Sequence, residues 1–146
     1  MIRPITPQDK AVYLQMARNF YQSDAVLSPI PSSYIELTFD TILSGTPFAS
    51  AYLFEEQGVV CGYALLAHTW SQEAGGEVLW VEEIYVKPEY RGKGVGKEFF
   101  AFLENRYGKQ IKRLRLEVEK ENEGAVALYQ SQGFSFFPYE QMKKDH

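Results

Sequence analysis

Hydrophobic and polar residues follow two different periods along the chain. In two long stretches the apolar residues recur every three to four positions, which is the spacing of one face of an α-helix. Between residues 50 and 86 they fall instead in β-rich runs separated by turn residues, which is typical of strands. The predicted strands are residues 2–5, 50–55, 59–69, 77–86, 114–118 and 134–142. The predicted helices are residues 7–21, a segment capped at residues 32–33 that runs to 43, residues 95–107, and a last helix that begins at Asn122 and ends before Gly133.

The order of these elements predicts the fold. Three strand runs in succession favour an antiparallel meander, whereas the later strand–helix–strand–helix–strand order favours parallel or mixed pairing with crossover helices. The expected fold class is therefore α/β, with a mixed, mostly antiparallel central sheet and helices on both faces. A length of 146 residues fits one domain spanning residues 1–146, which can bury a core without a disulfide or a metal.

Composition and charge exclude several classes of protein. Hydrophobic residues make up 45% and charged residues 23% of the chain, which is ordinary globular usage and excludes a disordered or fibrous chain. The net charge of -4 gives no overall basic field, so neither nucleic acid nor an anionic membrane is an expected partner. One cysteine and no signal-peptide pattern predict a cytoplasmic protein, and two scattered histidines predict no metal site.

One segment carries a clear chemical signal. Residues 85–97 join a predicted strand to a predicted helix and hold three glycines spaced by two, together with three cationic side chains. The glycines are Gly92, Gly94 and Gly96, and the cations are Arg91, Lys93 and Lys97. Because glycine lets the backbone turn tightly and the first N–H groups of a helix lack partners, the segment predicts a phosphate or pyrophosphate site. Its spacing matches neither a P-loop nor a dinucleotide-binding fingerprint.

Two motifs in the second half of the chain resemble those of a known enzyme family. The pattern Arg91-x-x-Gly94-x-Gly96, after a strand end of the form Val-x-Pro, is similar to the acyl-CoA-binding motif of the GNAT N-acetyltransferase superfamily. The pattern Asn122-x-x-Ala125-x-x-Leu128-Tyr129, followed by Gly133-Phe134, resembles the second motif of that family. The predicted element order also resembles the family fold from end to end. Residues 62–65 and 79–86 look most like the diamine (spermidine/spermine) acetyltransferase branch.

The resemblance implies acetyl-CoA as the co-substrate and no metal. In the family, the strand that ends here at residue 86 carries a bulge and splays from the strand centred here on residue 116, and the pantetheine arm enters the gap. The pyrophosphate binds the amides of the glycine-rich loop. Asn122, which is also a natural helix cap, lines the cofactor arm. The residues expected at the cofactor are Ile84, Tyr85, Val86, Arg91, Gly92, Lys93, Gly94, Val95, Gly96, Lys97, Asn122 and Tyr129.

The same resemblance supplies candidate catalytic residues. A protonated amine must lose a proton before it attacks a thioester, and three glutamates compete for the role of general base. The branch resemblance favours Glu82, strand alternation places Glu83 on the opposite face, and Glu117 matches a base position in ribosomal-protein acetyltransferases. The alternative interpretation of each glutamate is a surface carboxylate or the ion-pair partner of a lysine. Tyr129 matches the family's general acid, unless it is a core tyrosine, and the N–H of Ile84 is expected to stabilise the oxyanion.

The predicted function is therefore transfer of an acetyl group from acetyl-CoA to the primary amine of a small polyamine-like or amino-acid-like substrate. A peptide or protein amine is the alternative acceptor, and a non-catalytic acyl-CoA-binding module is the alternative class. Residues 23–43 and 70–80 are expected to form the acceptor pocket, but their sequence does not define the shape of that pocket. The resemblance to the family also favours a homodimer, and the apolar run at residues 134–137 is either part of the core or pairs across the dimer.

Overall fold

The computed structural model describes every residue from Met1 to His146. The strands are β1 (Ile2–Pro4), β2 (Ala49–Glu56), β3 (Val59–Ser71), β4 (Gly76–Val86) and β5 (Arg113–Leu116). The α-helices are α1 (Lys10–Tyr21), α2 (Ser32–Leu43), α3 (Val95–Tyr107) and α4 (Glu123–Ser131). Short 3-10 turns, Pro7–Asp9 and Pro88–Tyr90, precede α1 and the glycine-rich loop. These bounds agree with the predicted elements to within a few residues, except at the C-terminal end.

The five strands make one sheet in the order β1-β2-β3-β4-β5. The first four strands pair antiparallel, whereas β5 pairs parallel to β4, with residues 113–116 beside residues 78–81. A parallel neighbour needs a crossover connection, which α3 provides. The sheet is thus mixed and mostly antiparallel, and this prediction from the element order is confirmed.

Helices cover both faces of the sheet. On one face, α1 and α2 pack around a cluster of 11 buried residues that includes Tyr13 and Phe39. On the other face, α3 packs around a cluster of 12 buried residues that includes Phe99 and Leu103, which lie one turn apart on its apolar stripe. Many of the aromatic side chains are therefore core residues. None of the four helices combines the length and the apolar character that a membrane-spanning helix requires.

A buried carboxylate fixes the start of the chain. Asp9 accepts hydrogen bonds from Nη1 and Nη2 of Arg3 at 2.8 and 3.0 Å, and from the N–H and hydroxyl of Thr6 at 2.7 and 2.9 Å. These donors stabilise the charged form, so the pKa of Asp9 is lowered to about 2, with Arg3 the main cause. Arg3 also donates to Glu55 on β2 at 2.7 Å. The first strand is thus tied both to the turn before α1 and to the sheet.

Strand β4 carries a bulge at Glu82. Leu65 of β3 faces Glu83, whereas the next residue along β3 faces Val81, so Glu82 is an extra residue without a partner. The extra residue shifts the alternation of side chains, because Val81 and Ile84 both lie on the α3 side of the sheet. Pairing between β4 and β5 also stops at Val81. The two strands therefore part at the bulge, as the family resemblance implies.

The predicted last strand, residues 134–142, is wrong. This segment has no regular secondary structure and adds no strand to the sheet. One reason is Pro138, whose backbone has no N–H to give to a ladder. The segment packs through side chains instead, with the guanidinium groups of Arg113 and Arg115 lying 5.0 and 4.9 Å from the ring centre of Phe137. Cation–π contacts with β5 thus take the place of strand pairing.

Candidate active site

The free edge of β4 beyond the bulge borders a large cleft. The N–H of Lys87 donates to the carbonyl of Cys61 on β3 at 2.8 Å. Because backbone groups alternate sides along a strand, those of Ile84 and Val86 point away from β3, into the space that β5 leaves open. The cleft on this side has a volume of about 1140 Å³. The edge can therefore pair with an extended ligand as it would with an added strand.

Residues 92–97, here called the amide loop, lead from the end of β4 into α3. Gly92 and Gly94 have φ angles of 74° and 85°, in the left-handed region that favours glycine. Gly94 is the N-cap of α3, and its carbonyl accepts the first helical hydrogen bond, from Glu98, at 3.0 Å. The backbone N–H groups of residues 92–97 make no hydrogen bond within the protein. They also lie at the positive end of the α3 dipole, so the loop fits an anionic group.

Two contacts connect the amide loop to α4 and to the end of β4, although no residue of the loop itself lines the cleft. A Cβ atom on Gly96 would lie 3.0 Å from Cδ2 of Leu128, so the absence of a side chain lets the first turn of α3 approach α4 closely. Arg91 donates from Nε to the carbonyl of Val86 at 2.8 Å, which fixes the start of the loop to the end of β4. These contacts hold the loop, the strand edge and α4 in one arrangement.

Helix α4 brings two of the predicted residues to the cleft. Asn122 caps the helix, since its Oδ1 accepts from the N–H of Ala125 at 3.3 Å, and it also lines the cleft. Tyr129 lines the same cleft, and its ring packs edge-on against Phe100 and Phe134 at 5.9 and 6.1 Å. Burial raises the pKa of Tyr129 above its ordinary value. The phenol therefore keeps its proton at neutral pH and is available as a donor.

Glu82, Glu83 and Glu117, here called the carboxylate cluster, all line the cleft. Glu82 is open to solvent, yet the cleft walls partly desolvate its carboxyl group and raise its pKa, with smaller contributions from the charges of Glu117 and Glu83. A raised pKa makes a carboxylate a stronger base. Strand alternation predicts that Glu82 and Glu83 face opposite sides of the sheet, but the bulge at Glu82 lets both reach the cleft.

Glu83 is buried, with 9% of its surface exposed. The hydroxyl of Tyr21 on α1 donates to Oε2 at 2.5 Å, and the hydroxyl of Tyr63 on β3 donates to Oε1 at 2.6 Å. Burial raises the pKa of Glu83, and the two hydroxyls oppose that effect because they stabilise the charged form. Sequence reasoning missed both tyrosines, which lie 62 and 20 residues away and belong to no motif.

Some expected positions lie elsewhere. The side chain of Tyr85 is buried in the core under α1 and α2, and its backbone pairs with Tyr63, so it supports the strand edge from behind. The cleft lining also includes residues 25–28, which belong to the first of the two segments expected to form the acceptor pocket. Trp70, in the other segment expected to shape this pocket, is 78% exposed and lies outside the cleft.

The sequence profile described as the Acetyltransferase (GNAT) family matches residues 14–134, which is more than half of the chain. The chain therefore belongs to the acetyltransferase (GNAT) family. This confirms the resemblance carried by the amide-loop motif and the Asn122–Tyr129 motif.

Individual relatives agree with this family. The sequence is 40% identical to a thialysine N-epsilon-acetyltransferase from Bos taurus over 81 residues, 54% of this chain and 47% of the relative. The chain thus spans about half the length of the curated relatives it matches. A possible acetyltransferase from Clostridium difficile 630 superposes with a TM-score of 0.84 at 21% identity, over 100% of this chain and 97% of that chain. The structure of an aminoglycoside N-acetyltransferase in complex with CoA superposes with a TM-score of 0.80 at 18% identity. The superposition covers 99% of this chain and 93% of that chain.

Proposed function

We propose that this chain, as one unit of residues 1–146, transfers an acetyl group from acetyl-CoA to the primary amine of a small acceptor, either polyamine-like or amino-acid-like. One observation carries the proposal. The cleft that opens where β4 and β5 part is lined by both Glu82 and Tyr129, a candidate base and a candidate acid. Membership of the acetyltransferase (GNAT) family and the activities named for its relatives support the same reaction class.

The residues of the chain fit acetyl-CoA, which supplies an activated thioester when bound. The unbonded N–H groups of the amide loop suit the pyrophosphate, and the exposed side chains of Lys93 and Lys97 add positive charge beside it. The N–H and carbonyl of Ile84 and the N–H of Val86 suit the amides of the pantetheine arm, whereas the carbonyl of Val86 accepts from Arg91. The amide of Asn122, whose oxygen is used for the cap, keeps its NH₂ group free toward the cleft.

Glu82 serves as the general base in this proposal. An alkylammonium group has a pKa near 10.4, so at neutral pH the acceptor must give up a proton before it attacks. The raised pKa of Glu82 makes this carboxylate a better proton acceptor, and its open position allows transfer through a water molecule. Glu117 contributes by keeping that pKa high, and Glu83 is held by two tyrosine hydroxyls.

Negative charge develops on the thioester oxygen and on the leaving sulfur, and Ile84 and Tyr129 stabilise these two atoms respectively. The N–H of Ile84 points into the gap and stabilises charge on the thioester oxygen without reorganising. Tyr129 retains its proton because burial raises its pKa, and it donates that proton to the leaving sulfur.

Release of free CoA thiol from acetyl-CoA tests the proposal, with spermidine, lysine and a short peptide with a free N-terminus as acceptors. We expect turnover with a small amine. Tyr129→Phe is expected to lower kcat by about 10²–10⁴-fold, the usual contribution of a general acid, with unchanged affinity for acetyl-CoA. Tyr107→Phe is the matched control, because its hydroxyl bonds to Tyr52 at 2.5 Å at the far end of α3, outside the cleft.

Each other outcome changes a specific part of the proposal. Turnover with the peptide alone would replace the small acceptor by a peptide or protein amine. Full activity of Tyr129→Phe would overturn the general-acid role while leaving the reaction class intact. An acetyl-CoA-dependent rise in Tm without turnover on any amine would favour a non-catalytic acyl-CoA-binding module.

A further inference from the structure

Strand β5 begins with basic side chains and is followed by an acidic one. Arg113 and Arg115 alternate with two leucines that pack on the core under α3. Because successive side chains of a strand point to opposite faces, both arginines lie on the other face of the sheet, and Glu117 follows at the same spacing. All three of these charged residues line the cleft. The wall that β5 gives to the cleft therefore changes from positive to negative charge along the strand.

Arg115 differs from Arg113 because it has no anionic partner. Arg113 donates to Glu73 at 3.4 Å. The guanidinium carbon of Arg115 lies instead 4.2 Å from the ring centre of Trp80 and 4.9 Å from that of Phe137. Aromatic rings stabilise the charge of a guanidinium, but they do not use its five N–H donors as a carboxylate does. A half-buried guanidinium with unused donors thus lines the cleft.

The two rings also prepare Arg115 for a planar anion. Trp80 belongs to β4 and Phe137 to the C-terminal segment, so two separate parts of the chain hold the guanidinium. A guanidinium presents its N–H donors in its own plane, as a fork that matches the two oxygens of a carboxylate. Because the group is already held, less side-chain freedom is lost when a ligand binds. The arrangement therefore fits a carboxylate.

We propose that Arg115 binds a carboxylate of the acceptor, at the end of the molecule away from the reacting amine. The inference rests on the proposed function and narrows it, because the acceptor becomes an amino-acid-like compound rather than a polyamine. Arg115 lies beside Trp80 in the sheet, two residues before Glu82, the proposed base. Strand residues advance roughly 3.3 Å each, so the two side chains start from positions roughly 7 Å apart. An amine and a carboxylate joined by a short alkyl chain suit this spacing.

Three acceptors of matched length test the inference: 5-aminopentanoate, 5-aminopentanamide and 1,4-diaminobutane, which end in a carboxylate, a neutral amide and an ammonium group. We expect kcat/KM for 5-aminopentanoate to exceed that for the amide by about 10–100-fold, as for a hydrogen bond to a charged group. The difference should lie in KM rather than in kcat, because the contact is remote from the reacting atoms and is made equally before and during the reaction.

Substitutions of Arg115 should change this preference in two ways. Arg115→Gln is expected to remove it by raising KM for 5-aminopentanoate, while kcat and KM for 5-aminopentanamide stay unchanged. Arg115→Glu is expected to reverse it in favour of 1,4-diaminobutane. Arg106→Gln is the matched control, because Arg106 also lies over an aromatic ring, that of Tyr107 at 5.1 Å, but is exposed and outside the cleft. A thermal melt of each variant shows whether it folds.

Calorimetry in the presence of CoA gives a readout that does not depend on turnover. The wild type is expected to bind 5-aminopentanoate about 10–100-fold more tightly than 5-aminopentanamide, for the same reason as in the kinetic test. Arg115→Gln should bind the two compounds equally, and Arg106→Gln should behave as the wild type does.

The outcomes separate this inference from the proposed function. Equal kcat/KM for the carboxylate and the amide, or a preference for 1,4-diaminobutane in the wild type, would overturn the carboxylate subsite and leave the transferase standing. A preference that persists in Arg115→Gln would overturn the role of Arg115. Absence of acetylation on every amine would contradict the proposed function, and calorimetry would still decide the subsite. No binding heat with 5-aminopentanoate in the wild type, or the same affinity in Arg115→Gln, overturns it.

Discussion

The amide loop follows the end of β4, the carboxylate cluster lies where β4 and β5 part, and the two are built in opposite ways. The amide loop offers backbone N–H groups from consecutive residues, held in place by the left-handed φ angles of Gly92 and Gly94. The carboxylate cluster offers side chains, and one of them, Glu83, is set by hydroxyls that α1 and β3 contribute. The first depends on local backbone conformation and the second on tertiary packing.

This difference suggests a division of labour in the proposed enzyme. A backbone cradle recognises any ligand with the same anionic group, so it suits a co-substrate that many enzymes share. Side chains gathered from distant segments can be exchanged one at a time, so they suit the choice of acceptor. Changes in the carboxylate cluster should therefore alter catalysis and acceptor preference, and changes in the amide loop should alter affinity for acetyl-CoA.

Among the variants that separate catalysis from acetyl-CoA binding, Glu82→Gln is expected to have the largest effect. The amide keeps the size of the side chain but cannot accept the acceptor's proton, so kcat should fall by about a hundredfold, within the usual range for a general base. The Kd for acetyl-CoA, measured by calorimetry, should be unchanged. A loss of affinity as large as the loss of rate would show that the two regions are not separable.

Gly94→Ala is expected to give the converse and smaller effect. A side chain at φ 85° strains the N-cap and disturbs the amides that follow it, so the Kd for acetyl-CoA should rise roughly tenfold, about the loss of one hydrogen bond to a charged group. Gly45→Ala is the matched control, since Gly45 has φ 93°, open space around it and no part in the site. Both variants should lose about 1 kcal/mol of unfolding free energy.

The Gly94→Ala and Gly45→Ala variants are compared by their melting curves and by their binding curves for acetyl-CoA. If both variants lose the same unfolding free energy but only Gly94→Ala loses affinity for acetyl-CoA, the loss of affinity is due to the amide loop. Loss of affinity in both variants would mean that general destabilisation, rather than the loop, governs binding.

Glu117→Gln is expected to give the smallest effect, a shift in pH dependence. The negative charge of Glu117 raises the pKa of Glu82, so its removal lowers that pKa and leaves Glu82 deprotonated at lower pH. The acid limb of kcat/KM should therefore move to lower pH. Glu140→Gln removes one exposed negative charge elsewhere and should leave the limb in place. A large loss of kcat in Glu117→Gln would instead identify Glu117 as the base.

The same contrast explains which features the sequence predicts. Helix α3 begins and ends at the predicted residues, Val95 and Tyr107, because its apolar period and the glycines before it are local signals. The amide loop is predictable for the same reason. The contacts of Glu83 with Tyr21 and Tyr63 are not predictable, because they form only when α1 packs on the sheet.

Two further features depend on information that is not local. The position of the bulge at Glu82 decides which side chains share the cleft, and regular strand alternation gives the wrong answer for Glu83. The aromatic residues of the C-terminal segment suggest a strand, but Phe137 packs on the arginines of β5 instead. The homodimer and the cytoplasmic location stay predictions.

The absence of a side chain at Gly96 also affects the distance between α3 and α4. It lets the side chain of Leu128 on α4 approach the first turn of α3, and Tyr129 is the next residue along that helix. A ligand that joins phosphate to sulfur through a covalent arm has a fixed reach, so the distance between the amide loop and Tyr129 must match it. In the proposed enzyme, a methyl group added at residue 96 would meet Cδ2 of Leu128 at 3.0 Å, so that side chain or the helix that carries it and Tyr129 would have to move by about a few tenths of an ångström.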